Sequence, residues 1–300
     1  MTTFRPVDWL TAAVDTLAGQ GLPVAEARLE ARVLLASALG VDHAWLLAHG
    51  QDFCPCAEDW QRAQDWLARR ALGEPVAYIL GWREFYGLRL TVSPAVLIPR
   101  PDTEVLVDAA LELLPSSQVG NLLDLGTGSG AIALAIAAQR PQLRVLGVDA
   151  SPQALAQASQ NAYQLGLNRV VWMSGNWWQA VGDRRFDMVV SNPPYIAESD
   201  PHLLQGDLRF EPRQALAAAN NGLADLAAIT AGAPEHLVAG GWLLLEHGYG
   251  QGSAVRMLMA QAGLTEIHTR PDLAGHDRVT CGRYPAGVID GRCRTGQSAD

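Results

Sequence analysis

The 300-residue chain contains no lysine; all 22 of its basic residues are arginine. That absence excludes a P-loop, whose lysine reaches the phosphates, and a pyridoxal Schiff base, which forms on a lysine amine. Cysteine is scarce: Cys54, Cys56, Cys281 and Cys293. Only the first two are close, as C-P-C. With His43 and His49 upstream they still do not make the paired spacing of a structural zinc site, so free thiols and no metal are expected. No run approaches the roughly 20 apolar residues that span a bilayer. The opening MTTFRPVDWL lacks a basic segment followed by an apolar stretch, so no signal peptide is expected and a cytoplasmic protein is. Positive charge is also in deficit, with 31 acidic residues and a net charge of −9. A protein that grips duplex nucleic acid usually carries a basic stripe, and residues 1–80 hold six arginines against ten acids.

What is present is a composition 49% hydrophobic with nine tryptophans, enough for one large core or two smaller ones. Apolar residues recur at helical spacing through Val7–Ala18, Val24–Leu39 and Trp60–Leu72, so residues 1–80 read as a small helical bundle. Over 81–100 the residues around Phe85–Val92 alternate weakly, as in a β-hairpin connector. Pro101, Asp102 and Glu104 suit the first turn of a helix running to about Leu114. From Asn121 strands and helices alternate: NLLDLG, SGAIALAIAAQR, LRVLGVDA, SPQALAQASQNAYQLG, RVVWMS and FDMVVS. A helical stretch around Gly222–Ala239 follows, then GWLLLEHG, GQGSAVRMLMAQAG, LTEIHT and DRVTCGRY. Such alternation implies an open, mostly parallel α/β sheet covered by helices on both faces, occupying 101–284. Residues 285–300 are polar and aperiodic, a floppy tail.

DLGTGSG, Asp124 to Gly130, lies between a strand and a helix. Its glycines permit a tight turn and close approach to a ligand, and the following helix offers its first N–H groups. Asp149 ends the next strand about 20 residues on, where an acid accepts both hydroxyls of a ribose. The ligand is a nicotinamide dinucleotide or S-adenosylmethionine. The glycines stand as G-x-G-x-G rather than the G-x-G-x-x-G that suits a pyrophosphate, and Asp124 suits a cationic ligand. Both features favour S-adenosylmethionine.

The strand ending at Ser191 runs into Asn192, Pro193, Pro194 and Tyr195. Ligands in open α/β sheets sit beyond the carboxyl ends of strands. The two prolines have no N–H, Asn192 adds a side-chain carbonyl and Tyr195 a flat ring. Together they make a slot that accepts hydrogen bonds from an NH2 group and stacks on a planar substrate: a glutamine side chain, adenine or guanine. A plain proline turn ending a strand is the blander alternative. His202, Glu246 and His247 suit structural roles better than that of a general base.

DLGTGSG followed by SNPPY resembles the class I, Rossmann-like N-methyltransferases. With LIPRPDTEVLV, FEPRQAL, GWLLLEHGYGQG and DRVTCGRY in this order behind a helical N-terminal domain, the chain over 5–284 resembles the release-factor glutamine methyltransferases. NPPY alone is shared with adenine-N6 and guanine-N2 nucleic-acid methyltransferases, the alternative reading. The resemblance implies a Rossmann-like methyltransferase sheet with an N-terminal helical domain, and S-adenosyl-L-methionine as donor. It implies methylation of the glutamine amide in the Gly-Gly-Gln motif of class 1 peptide release factors. Asp124, Leu125, Gly126, Thr127 and Gly128 would cradle the methionine part of the donor. Asp149 would take the ribose, and Trp177 would lie near the adenine. Asn192 would contribute to the donor site as well, and with Pro193, Pro194 and Tyr195 it would bind the glutamine, Asn192, Pro193 and Tyr195 serving the transfer itself. Before Trp177 the family often has Asp; here Asn176 offers an uncharged acceptor. Arg100 and Glu211 match family segments without an assigned role. The bundle over 1–80 is then expected to hold the release factor outside its glutamine loop.

Overall fold

Trp9, Ala13 and Leu17 lie four residues apart, so one face of a helix can bury all three, and in the computed structural model it does. The structure describes residues 5–51, 53–115, 117 and 119–287. Five helices occupy the first part: α1 (Pro6–Gly19), α2 (Val24–Leu39), α3 (His43–His49), α4 (Ala57–Ala71) and α5 (Val76–Leu80). Gly40, at φ 68°, ends α2 in the left-handed conformation that glycine tolerates best. Asp42 caps α3 by accepting from the Trp45 N–H at 2.6 Å. Trp9, Leu17, Leu34, Leu35, Leu67 and Ile79 meet in a core of their own. Helices α3 and α5 were not anticipated; at seven and five residues they are too short to show a period.

Strands β1 (Trp82–Phe85) and β2 (Leu88–Thr91) form the expected hairpin. Tyr86 and Gly87 between them have φ of 51° and 72°, the signature of a type I′ turn. A 3-10 turn (Pro101–Thr103) and helix α6 (Glu104–Leu113) follow. Then come β3 (Gly120–Leu125), α7 (Ala131–Gln139), β4 (Leu143–Asp149), α8 (Pro152–Gln164), β5 (Val171–Ser174) and β6 (Phe186–Ser191). Ser151 caps α8, accepting from the Ala154 N–H. Two small strands, β7 (Ile196–Ala197) and β8 (Ala217–Ala218), pair in parallel. The rest is a short turn α9 (Ala219–Gly222), α10 (Ala224–His236), β9 (Leu237–Glu246), α11 (Gly252–Gln261), β10 (Thr265–Pro271) and β11 (Asp277–Arg283).

Seven strands form one sheet in the order β10-β11-β9-β6-β3-β4-β5. The pairs from β9 to β5 are parallel, and β11 runs antiparallel to both neighbours. Side chains alternate between its faces, as the pleat requires. Leu122, Met188, Val190 and Leu244 pack with Leu106 of α6 and Leu134 of α7. Leu123, Leu125, Val189 and Leu243 pack with Ile229 of α10 and Val255 of α11. Helices therefore cover both faces, which gives the Rossmann-like architecture its two cores. One expectation is corrected: the helix placed up to Ala239 stops at His236. Pro234 lies in its last turn, and Leu237 already pairs with Phe186 as the start of β9. The tail expected over 285–300 falls, from 288 onward, outside the described residues. Among the described residues no single helix is long and apolar enough to cross a membrane.

The hairpin is tied to the sheet through one buried side chain. Asn161 of α8 accepts from the Thr91 N–H at 2.8 Å and donates to the Thr91 carbonyl at 3.0 Å, as a neighbouring strand would. The same amide donates to the Ser129 carbonyl of the glycine loop at 2.9 Å. The bundle meets the far side of the chain through Arg70, which is 5% exposed and reaches Glu30 at 2.6 Å and Asp207 at 3.0 Å.

Candidate active site

Leu125, the last residue of β3, pairs with Val148 of β4 on one side and Ser191 of β6 on the other. The chain order reverses at that point, which opens a crevice beyond the strand ends. The glycine loop spans it. Gly126 and Thr127 both donate to the Val148 carbonyl at 2.9 Å, bending the chain across the end of β4. Gly126 has a φ of 71°, which glycine tolerates best, and a Cβ there would come within a tight 3.2 Å of the Trp177 ring. Asp149 then holds the loop to the start of α8. Its Oδ2 accepts from the Gly128 N–H and its Oδ1 from the Ser151 N–H, both at 2.8 Å. Each oxygen keeps a second lone pair for a ligand hydroxyl.

Gly126, Gly128, Asp149, Trp177, Asn192 and Pro194 line one cleft of about 260 Å³, so the structure brings these sequence-expected residues together. Asn176 lines it as well. Trp177 is fixed by its Nε1–H, which donates to Asp225 at 3.2 Å. Burial raises the Asp225 carboxyl above its ordinary value. Asp225 carried no sequence signal, because only the return of α10 toward the 177 turn places it there. The far wall is Ala95–Leu97 together with Pro212, Gln214 and Ala215. Leu97, Pro212, Gln214 and Ala215 belong to segments quoted above for resemblance, and their role is visible only in three dimensions. Glu211 joins them, pairing with Arg100 while accepting from the Ile98 N–H at 2.9 Å. Tyr78 of α5 donates to the Val96 carbonyl at 2.6 Å, so the bundle braces that wall.

Other expected residues stand behind the cleft. Asp124, Leu125 and Thr127 are buried and support the loop from beneath, outside the cleft lining. Asp124 Oδ2 accepts from the Thr127 hydroxyl at 2.6 Å, while its buried Oδ1 has no hydrogen-bond partner. Burial pushes the Asp124 carboxyl up to about 7. A cationic ligand across the loop would ease ionisation of this carboxyl electrostatically and an anionic one would oppose it, so the residues present fit a sulfonium-bearing ligand better than a pyrophosphate. The folded chain thus holds a proton on Asp124 between about pH 4 and 7 that the unfolded chain releases. Stability from this group is greatest below that window and declines as pH rises through it. In urea titrations, Asp124→Asn is therefore expected to gain on the parent chain by up to about 4 kcal/mol between pH 4 and pH 8. A pH-independent difference would refute the assignment.

Pro193 is buried, and the Tyr195 hydroxyl turns from the cleft to Glu246 at 3.2 Å. The Tyr195 main-chain carbonyl accepts from Gln251 at 3.0 Å. Asn192 donates its Nδ2–H to the Thr103 hydroxyl at 3.2 Å, and nothing among the described residues donates to its Oδ1. Thr103 was not singled out from the sequence. His247 is buried between the Thr280 hydroxyl at 2.8 Å and the Gly248 carbonyl at 2.9 Å, and burial lowers its pKa; it is structural. His202 is exposed beside Asp200, away from the cleft.

The sheet order with its reversed β11, the glycine loop and Asn192 at the switch point define a Rossmann-like class I methyltransferase. Family models agree: the PrmC N-terminal domain matches residues 8–81 and the methyltransferase small domain residues 103–207. A release factor glutamine methyltransferase of Xylella fastidiosa is 53% identical over 258 residues, 86% of this chain and 94% of its own. One from Bordetella pertussis is 51% identical over 276 residues, 91% of this chain and 99% of its own. The chain belongs to the release factor glutamine methyltransferase family. Among solved structures, a methyltransferase from Pyrococcus furiosus shares the fold at TM-score 0.52 and 16% identity, covering 74% of this chain and 99% of that one.

Proposed function

We propose that this chain transfers a methyl group from S-adenosyl-L-methionine to the side-chain amide nitrogen of the glutamine in the Gly-Gly-Gln motif of class 1 peptide release factors. The observation that carries this reading is Asn192, at the end of β6, with its NH2 tied back to Thr103 and its oxygen left for a ligand. When bound, the donor supplies an electrophilic methyl on a sulfonium. The chain supplies position. Asp149 offers its remaining lone pairs to the ribose hydroxyls, Trp177 a ring for the adenine, and Asn176 an acceptor at the rim.

A carboxamide nitrogen is a poor nucleophile because its lone pair is delocalised into the carbonyl. Asn192 Oδ1, with a main-chain carbonyl of Pro193 or Pro194, accepts from its N–H bonds and holds the nitrogen for in-line attack. Prolines contribute no N–H, so this stretch of main chain presents acceptors to the incoming NH2. No strong base is needed beforehand, since the nitrogen becomes acidic only as it gains the methyl; its proton then passes to water as the sulfonium S–C bond is replaced by the new N–C bond. The helical bundle, acidic and free of catalytic motifs, holds the release factor outside the glutamine loop.

Incubation with labelled donor and either release factor or duplex DNA tests the assignment. Label is expected on the glutamine amide of the protein; label on adenine or guanine would favour the nucleic-acid reading. A short Gly-Gly-Gln peptide in the same assay should show a far higher KM than the intact factor. Equal values would remove the role given to the bundle.

A further inference from the structure

Asn220, Asn221 and Gly222 have φ of 54°, 53° and 81°, so three consecutive residues lie in the left-handed region. Residues other than glycine visit that region singly, asparagine more readily than most, and a run of it persists only where the surroundings demand it. Gly222 shows the demand here. A Cβ on this residue would collide with the carbonyl oxygen of Tyr195, the last residue of the Asn-Pro-Pro-Tyr segment. We infer that this turn and the Gln251 side chain form a seat for the Tyr195 carbonyl that fixes the far end of the glutamine-binding slot, with Gln251 as a positioning residue for the substrate nitrogen. The inference rests on the function proposed above.

Gln251 directly precedes α11. Its Oε1 accepts from the Gly248 N–H at 2.9 Å. Its Nε2–H donates to the Tyr195 carbonyl at 3.0 Å and reaches the Asn221 carbonyl at 3.4 Å. A main-chain N–H only donates and a carbonyl only accepts, so these partners leave the amide one orientation. The Ile196 N–H, at the other end of the same peptide unit, donates to the Leu216 carbonyl at 3.0 Å, and Ile196 pairs with Ala217 of β8. A peptide unit is planar, so a bond at each end sets its plane.

The slot itself has few torsions left free. Ser191 is held at the near end, paired to Leu125 of β3 and Leu245 of β9. Pro193 and Pro194 have φ locked by their rings. The direction of their carbonyls therefore follows from where the Tyr195 peptide is anchored. In the transfer proposed above, one of those carbonyls accepts from the incoming NH2 beside Asn192. Asn221, Gly222 and Gln251 stand outside the cleft lining, so the seat should act on the transfer step and leave donor binding alone.

Two variants of Gln251 test the seat at pH 8. Gln251→Ala removes its hydrogen bonds to Gly248 and Tyr195. Gln251→Glu keeps an acceptor for Gly248 and sets a carboxylate oxygen against the Tyr195 carbonyl. The residue is only half-buried, so both variants should fold. With saturating release factor and donor, Gln251→Ala is expected to lower kcat roughly 10-fold, the scale of one lost hydrogen bond. Gln251→Glu should be impaired at least as much. KM for the release factor should stay within about 3-fold of the parent, because the bundle holds the factor, and donor affinity by calorimetry should be unchanged in both. A role limited to starting α11 predicts the reverse order, since an acid at a helix N-terminus is favourable. Unchanged kcat in Gln251→Ala overturns the seat. So does a Gln251→Glu variant that turns over faster than Gln251→Ala, or a loss of donor affinity that accounts for the loss of turnover. A parent chain that puts no label on the release factor overturns the proposed function instead, and the two failures are distinct.

Discussion

Asn192→Ala is expected to lower kcat for glutamine methylation by on the order of 10²–10³-fold, the scale on which removing one preorganised polar group from an active site acts. Asn192 supplies the oxygen that this structure leaves unpaired at the end of β6, and its other amide atom already has a partner in Thr103. Truncation leaves the substrate nitrogen without its principal acceptor, so few bound complexes reach an attack geometry. Donor binding should survive, because Gly126, Gly128 and Asp149 are held by backbone bonds that do not involve Asn192. Single-turnover kinetics together with calorimetry on the same variant check both halves. Turnover close to that of the parent would end the account of the slot. So would loss of donor affinity large enough to explain the defect.

Asp149→Ala is expected to weaken S-adenosylmethionine binding by about 10²-fold or more, from two charge-assisted hydrogen bonds lost to the ribose. The structure adds a second cost that the sequence did not suggest. The same carboxylate ties Gly128 to Ser151, so its removal frees the loop and the first turn of α8 together. Asp149→Asn separates the two effects. It keeps one acceptor for the backbone while losing charge, and it should bind the donor with intermediate affinity. Calorimetric titration of the three chains orders them; donor affinity that is the same in all three would show that the ribose does not sit there.

The family resemblance and the geometry meet most closely in LIPRPDTE and FEPRQAL. In the sequence these segments were recognisable but mute. In the structure Leu97 and Pro212 line the cleft together with the glycine loop, and Arg100 and Glu211 pair beside them. Asp124 moved the other way. From its place beside the glycines it read as a ligand contact, yet strand parity sets it on the α7 side of the sheet, buried beneath the loop. Its influence on a ligand is then electrostatic and acts through the backbone.

Local chemistry already specified much of this protein in one dimension. The alternation of strands and helices, the hairpin, the Ser151 cap, the glycine loop and the acid at Asp149 each depend on neighbours within a few residues, and such signals survive in a linear string. So did the presence of Asn192 at a strand end. What only the tertiary structure decided is which way that asparagine faces. Thr103, whose hydroxyl accepts from the Asn192 NH2, lies 89 residues before it. The turn that carries Thr103 reaches the end of β6 only when α6 packs on the sheet through Leu106 against Met188 and Val190, and a contact made by packing leaves no trace in either local stretch.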